Sequence, residues 1–268
     1  MITALVAALI LAAGLMAVTF ALALWLDNFS IVDVAWSFNF TPVAALYMVL
    51  SPAPGWRRGV VLAVVAVWSL RLAGHLARRI AALHPVEEGR YLELRRQWAN
   101  NVQGRFFRFF MIQGGLNVLL STPILFLSRH VDPALGLLEG LGLALFVTSL
   151  AGEALADAQL AEFKRDPASK GRVCDLGLWR YSRHPNYFFE WLVWCAFALM
   201  ATAVPWGFLS WVCPALMLYF LLRVTGIPMT EEQAIRSRGE AYRNYQATTS
   251  AFVPWFPRTS ARKVVHLK

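Results

Sequence analysis

Apolar runs long enough to cross a bilayer alternate along this chain with short polar or basic stretches, and that alternation predicts its elements. The first run, residues 2–26, carries no charge and stops at the polar turn Asp27 and Asn28. A second covers about residues 31–50, and Pro52, Pro54 and Gly55 separate it from a third at about 59–76. The fourth spans about 106–127 and the fifth about 134–155. A sixth at about 187–203 ends near Pro205, and a seventh at about 206–224 contains Pro214, which predicts a kink. The polar stretch 77–108 predicts a short amphipathic helix, about Tyr91 to Asn101, lying on the surface. The tail after Pro228 is mostly polar, yet Tyr242, Tyr245, Phe252, Trp255 and Phe256 make it too aromatic to stay free, so it is predicted to fold back.

Composition agrees: 58% of residues are hydrophobic and 15% charged, far from soluble averages. The predicted class is an all-α integral membrane protein with seven transmembrane helices in one membrane domain. The first run has no Lys or Arg ahead of it, which argues for a retained span and against a cleaved signal peptide. A net charge of +9 suggests nucleic acid at first sight. The basic residues, however, sit between apolar runs: seven Lys and Arg in residues 77–108, six in 156–186 and seven in 226–268, against Arg129 alone in the loop between runs four and five. This asymmetry predicts orientation, with the N-terminus outside and the C-terminus cytoplasmic; only Arg57 and Arg58 oppose it.

Polar residues inside the runs are candidate chemistry, because ionisable groups at membrane depth are costly. Asp33, Trp36 and Asn39 are spaced by three and share one face of the second helix, which is predicted to look into the bundle. Trp68, Arg71 and His75 face one way near the end of the third, and Gln113 with Asn117 form an i,i+4 amide pair on the fourth. The densest cluster is RYSRHPNYFFE, residues 180–190, with Pro185 placed to open the sixth helix. Together with Asp157, Lys164, Arg172, Tyr242 and Tyr245 it makes a basic, aromatic mouth suited to an anionic soluble cofactor meeting a lipid-like substrate.

No GxGxxG, HExxH or GxSxG pattern is present. The five histidines, His75, His84, His130, His184 and His266, are too scattered for a metal set, and Cys174, Cys195 and Cys213 suggest no disulfide framework.

Residues 152–258 resemble the C-terminal domain of the steroid 5-alpha-reductase family, especially its bacterial branch. The blocks GEALADAQLAEFK, GRVCDLGLWRYSRHPNYFFE, the late EEQ and YRNYQATTSAFVPWFPR carry the likeness. The shorter RHPNY pattern is also similar to sterol reductases and to isoprenylcysteine carboxyl methyltransferases, which use S-adenosylmethionine. The resemblance implies a multi-pass enzyme of the bacterial cytoplasmic membrane that reduces an α,β-unsaturated ketone, a 3-oxo-Δ4 steroid or similar flat isoprenoid, with NADPH. It implies a cofactor half, residues 131–268, in which Asp157, Lys164, Arg172, Arg180, Tyr181, His184, Asn186, Glu190, Arg223 and Tyr245 hold NADPH. Residues 1–130 form the substrate half, with Asp33, Trp36, Trp68 and Arg71 as catalytic candidates and Asn39, His75, Gln113 and Asn117 against substrate. In the family a helix-two carboxylate and a helix-three Tyr grip the ketone; here the third run offers no Tyr. A lipid-binding or transport protein is the non-enzymatic alternative.

Overall fold

The computed structural model describes residues 1–258, and among these it contains helices and no strand; Ser182 and Ser250 form one isolated parallel bridge. The chain divides into two compact units, residues 1–136 with 201–210, and residues 137–200 with 211 onward. Five helical stretches are long and apolar enough to cross a membrane: Ile2–Leu26, Gly55–Leu83, Ala99–Leu127, Leu137–Arg165 and Gly207–Arg238. The other two apolar runs form helices of 19 and 17 residues.

The first unit contains α1 (Ile2–Leu26), α2 (Ile31–Val49), α3 (Gly55–Leu83), α4 (Gly89–Gln97), α5 (Val102–Leu120) and α6 (Thr122–Leu127). α1 buries mainly small residues, Ala8, Ala12, Met16 and Ala23, while Ile2, Val6, Leu9, Ile10, Val18 and Trp25 point outward. Small inward and large outward side chains suit a helix whose outer face meets lipid. On α5, a Cβ at Gly114 would lie 3.4 Å from the Ala12 carbonyl oxygen, so this glycine sets the close approach of the two helices. Asp27, at φ 48°, ends α1, and Asn101 caps α5 by accepting from Gly104 N–H at 3.0 Å.

Two expectations are corrected here. α3 runs on to Leu83, because nothing stops it before Pro85 restricts His84, so Arg71 and His75 lie within the helix and not near its end. The amphipathic helix is Gly89–Gln97, shorter than expected, and one side of it enters the core: Tyr91 is fully buried beside Met16, Phe29, Val32 and Phe106, while Leu92, Glu93, Arg96 and Gln97 stay exposed. Its apolar face, Tyr91, Leu94 and Trp98, repeats at helical spacing and joins the core. Arg57 is almost wholly buried; its guanidinium donates to the carbonyls of His130, Asp132 and Ala134, the last at 2.7 Å. It clasps a loop.

The second unit contains α7 (Leu137–Arg165), α8 (Pro185–Ala201), α9 (Val212–Tyr219), α10 (Ile227–Arg238) and α11 (Glu240–Thr248). A Cβ at Gly152 would come within 2.5 Å of the Phe189 ring, so α7 and α8 touch through this glycine. The seventh run is not one bent helix: a 3₁₀ segment (Gly207–Trp211), α9 and a π-helical turn (Phe220–Val224) follow each other, and Pro214 sits in the first turn of α9, where a missing N–H costs little. The tail does fold back. Tyr242 and Tyr245 are buried with Ala234, and Phe252 with Leu221 and Ile227, whereas Trp255 and Phe256 stay exposed. His266 lies outside the described residues.

Candidate functional site

In the second unit the loop before α8 is organised by a carboxylate the sequence did not single out. Glu231, on α10, accepts from Arg183 Nε at 2.6 Å, Gln246 Nε2 at 2.9 Å and the Tyr242 hydroxyl at 3.5 Å, and its Oε1 lies 3.3 Å from His184 Nε2. Arg183 also donates to the carbonyls of Gln246 and Thr249, at 3.0 and 2.6 Å. The loop is thereby tied to α10 and α11 at once. Tyr245 donates its hydroxyl to the carbonyls of Trp179 and, at 3.2 Å, Ser182, while Ser182 Oγ donates to the Phe252 carbonyl at 2.8 Å. Burial pushes the Tyr242 hydroxyl up to about 12, with Glu231 adding to it, and raises Tyr245 further, so both stay neutral hydrogen-bond donors.

This scaffold presents part of the predicted cofactor set together. Asn186 donates to Asp157 Oδ1 at 3.3 Å across α7 and α8. His184 is buried, with its ring stacked on Tyr187 at 5.3 Å, and Glu190 accepts from Trp194 Nε1 at 3.1 Å one turn along α8. Lys164 lines a cleft of about 270 Å³ with Lys170, Arg238, Asp166, Ser169 and Gly171, and Arg238 donates to the Arg172 carbonyl at 2.9 Å. Tyr245 points its hydroxyl into the loop and acts as a positioning residue. Arg180, Tyr181 and Arg223 are exposed, Arg223 on the π-helical turn. The missed residue had a signal: Glu231 opens the EEQ block.

The first unit has its own polar end. Arg90 Nη2 donates to both Asp33 oxygens at 2.7 Å, and the Tyr91 hydroxyl donates to Asp33 Oδ1 at 2.8 Å and accepts from Arg90 at 2.6 Å. Burial pushes the Tyr91 hydroxyl well above its ordinary range, and the Asp33 charge adds to this. For Arg90 burial acts to lower the pKa, but Asp33 and Tyr91 outweigh it and keep the guanidinium charged. Glu87 and Arg95 fasten the same segment to the turn after α1: Arg95 donates to Glu87 at 2.5 Å and to Asp27 Oδ1 at 2.8 Å, and Glu87 accepts from Phe29 N–H. One turn deeper, Asn39 Nδ2 donates to Asn117 Oδ1 at 3.2 Å and Asn117 Nδ2 to the Trp36 carbonyl at 2.9 Å. Trp68 is buried against Phe40, while Arg71, His75 and Gln113 are half-buried. Sequence reasoning found Asp33 and missed its partners, although the helical spacing of Tyr91, Leu94 and Trp98 marks Tyr91 as core-facing.

Among the described residues no group of His, Cys, Asp or Glu is placed to hold a metal ion, and the three cysteines are free and buried.

Residues 19–249 match the family described as a protein of unknown function (DUF1295). The uncharacterized protein C594.04c of Schizosaccharomyces pombe is 26% identical over 266 residues, covering 88% of this chain and 76% of its own. No solved structure matches.

Proposed function

We propose, starting from the fact that this chain belongs to the DUF1295 family and that this family is related to steroid 5-alpha-reductase, that it is a membrane oxidoreductase. It reduces the carbon–carbon double bond of an α,β-unsaturated ketone on a flat isoprenoid or steroid-like substrate with NADPH. Seven spans, with α2 and α8 added to the five stretches above, put the N-terminus outside and the C-terminus in the cytoplasm of a bacterial inner membrane.

The observation that carries the reading is the polar junction before α8, where Asn186 holds Asp157 and His184 meets Glu231, in the same unit as a cleft ringed by Lys164, Lys170 and Arg238. Three cations against the single carboxylate of Asp166, with the Ser169 hydroxyl, around about 270 Å³ fit a phosphate, the charged part of a dinucleotide, though not the whole of one. Asp157, Asn186 and Glu190 offer acceptors and an amide for ribose hydroxyls and carboxamide. NADPH, when bound, supplies the hydride.

The substrate ketone belongs with Asp33 and Tyr91. The neutral Tyr91 hydroxyl, beside the Arg90 guanidinium, is the hydrogen-bond donor that the resemblance asks of a helix-three tyrosine, supplied instead from α4. When substrate enters, the Tyr91 O–H turns from Asp33, which keeps its two Arg90 contacts, to the ketone oxygen where negative charge develops, and the adjacent carbon then takes a proton from water.

Purified protein in detergent is expected to oxidise NADPH only when an enone such as androst-4-ene-3,17-dione is supplied. Tyr91→Phe should slow turnover by about 100-fold while leaving NADPH affinity unchanged. Absence of turnover across a steroid and quinone panel overturns the substrate, and tighter binding of S-adenosylmethionine than of NADPH overturns the cofactor.

A further inference from the structure

Hydrogen-bond logic orients two buried amides in the first unit. The Trp36 carbonyl can only accept, so the Asn117 amino group faces it at 2.9 Å and Asn117 Oδ1 faces Asn39. Asn39 must therefore present its own amino group to Asn117, at 3.2 Å, which turns Asn39 Oδ1 away. Asn39 Oδ1 and Trp36 Nε1 are both buried and neither has a hydrogen-bond partner in the chain, and Asn39 has none of its surface exposed. An acceptor and a donor three residues apart on one face of α2 are thus unmatched. A buried polar atom without a partner costs more than a typical hydrogen bond returns, so such a pair is expected where a ligand completes it.

We infer that this face of α2 recognises a hydroxyl oxygen on a flat apolar ligand: Trp36 N–H donates to that oxygen, and the hydroxyl proton is donated to Asn39 Oδ1. A ketone satisfies half of this, because it accepts from Trp36 but turns lone pairs toward Asn39. A hydrocarbon satisfies neither. The surroundings are aromatic. The Trp36 ring meets Phe40 edge-on at 5.0 Å, and Phe40 lies 5.1 Å from the buried Trp68. Asp33, Arg90 and Tyr91 complete one another, so they do not explain this second pair one turn along the helix.

The inference deepens the substrate assignment above, on which it rests for the lipid-like character of the ligand. It adds that this substrate carries an alcohol as a second polar group. Its test needs neither NADPH nor turnover: protein in nanodiscs is titrated with androstane, androstan-3-ol and androstan-3-one, which share one skeleton. The alcohol should bind about tenfold more tightly than the hydrocarbon, with the ketone between them once Tyr91→Phe has removed its separate ketone contact. Trp36→Phe, which keeps an aromatic ring and removes the donor, and Asn39→Leu should each bring alcohol and hydrocarbon within about twofold. Asn39→Asp, whose neutral acid keeps the outward carbonyl, should preserve the order. Equal binding of the three probes by the native protein, no binding of the alcohol, or an alcohol preference that survives Trp36→Phe overturns the inference. If a variant does not fold, the native ranking decides alone. A protein that ranks the probes as expected but never oxidises NADPH sinks the reductase assignment and leaves the hydroxyl site standing.

Discussion

Replacing Glu231 by Gln tests whether one carboxylate holds the loop before α8. The amide keeps the shape and can keep its oxygen toward Arg183, His184 and Tyr242, and Gln246 can turn its own carbonyl toward the new NH2 group. What disappears is the negative charge. Arg183 and Glu231 have side chains only 11% and 15% exposed, so the guanidinium is left in a poorly solvated place with neutral acceptors alone, the new amide oxygen and two backbone carbonyls. Breaking a fully buried pair costs about 3–5 kcal/mol, and the residual exposure and retained acceptors reduce this to about 2–3 kcal/mol. For a chain of this size that corresponds to a fall in Tm of roughly 5–10 °C, read by thermal unfolding in one detergent. The decisive measurement is the cycle with Arg183→Met. If the charges act on each other, the double variant should be more stable than the sum of the single losses predicts, by about 1–3 kcal/mol. Losses that add to within about 0.5 kcal/mol would refute the reasoning, because uncoupled residues behave that way.

Two further outcomes follow from the same unit. Gly177 has φ 55°, and a Cβ there would fall 2.4 Å from Gln159, whose Oε1 accepts from Leu178 N–H at 2.9 Å. Gly177→Ala should therefore cost about 2 kcal/mol, from left-handed backbone plus a lost hydrogen bond, and adding Gln159→Ala should cost little more; a thermal melt unchanged by Gly177→Ala contradicts the geometry. Tyr242 has its hydroxyl pushed up to about 12 by burial, above its ordinary value of about 10 in the unfolded chain. Its contribution is complete below pH 10 and disappears as pH rises through 12, so the stability difference between native protein and Tyr242→Phe should be flat from pH 7 to 9.5 and shrink above it.

Much of the helix content could be read from the chain because it is local. A run such as residues 2–26 must satisfy its own backbone in an apolar setting, and a helix does this within the segment. The start of α8 at Pro185 was legible for the same reason, since proline needs no donor in the first turn. Errors came where tertiary contact outweighed composition. The charged stretch around α4 reads as a surface helix until Tyr91 is seen among Phe29, Val32 and Phe106. The partners of Arg57, three carbonyls of a loop more than 70 positions away, were likewise set by packing alone.

The candidate site divides along the same line. Spacing alone put Asp33, Trp36 and Asn39 on one helical face and grouped His184, Asn186 and Glu190 about the entry to one helix, because the α-helical repeat relates residues three and four apart. Only the tertiary structure paired Tyr91 with Asp33, 58 positions away, and Arg183 with Glu231, 48 positions away. It alone left Trp36 Nε1 and Asn39 Oδ1 without protein partners. A polar atom's partner is decided by which groups the packed chain brings within about 3 Å of it, and no local pattern of hydrophobic and polar residues encodes that distance.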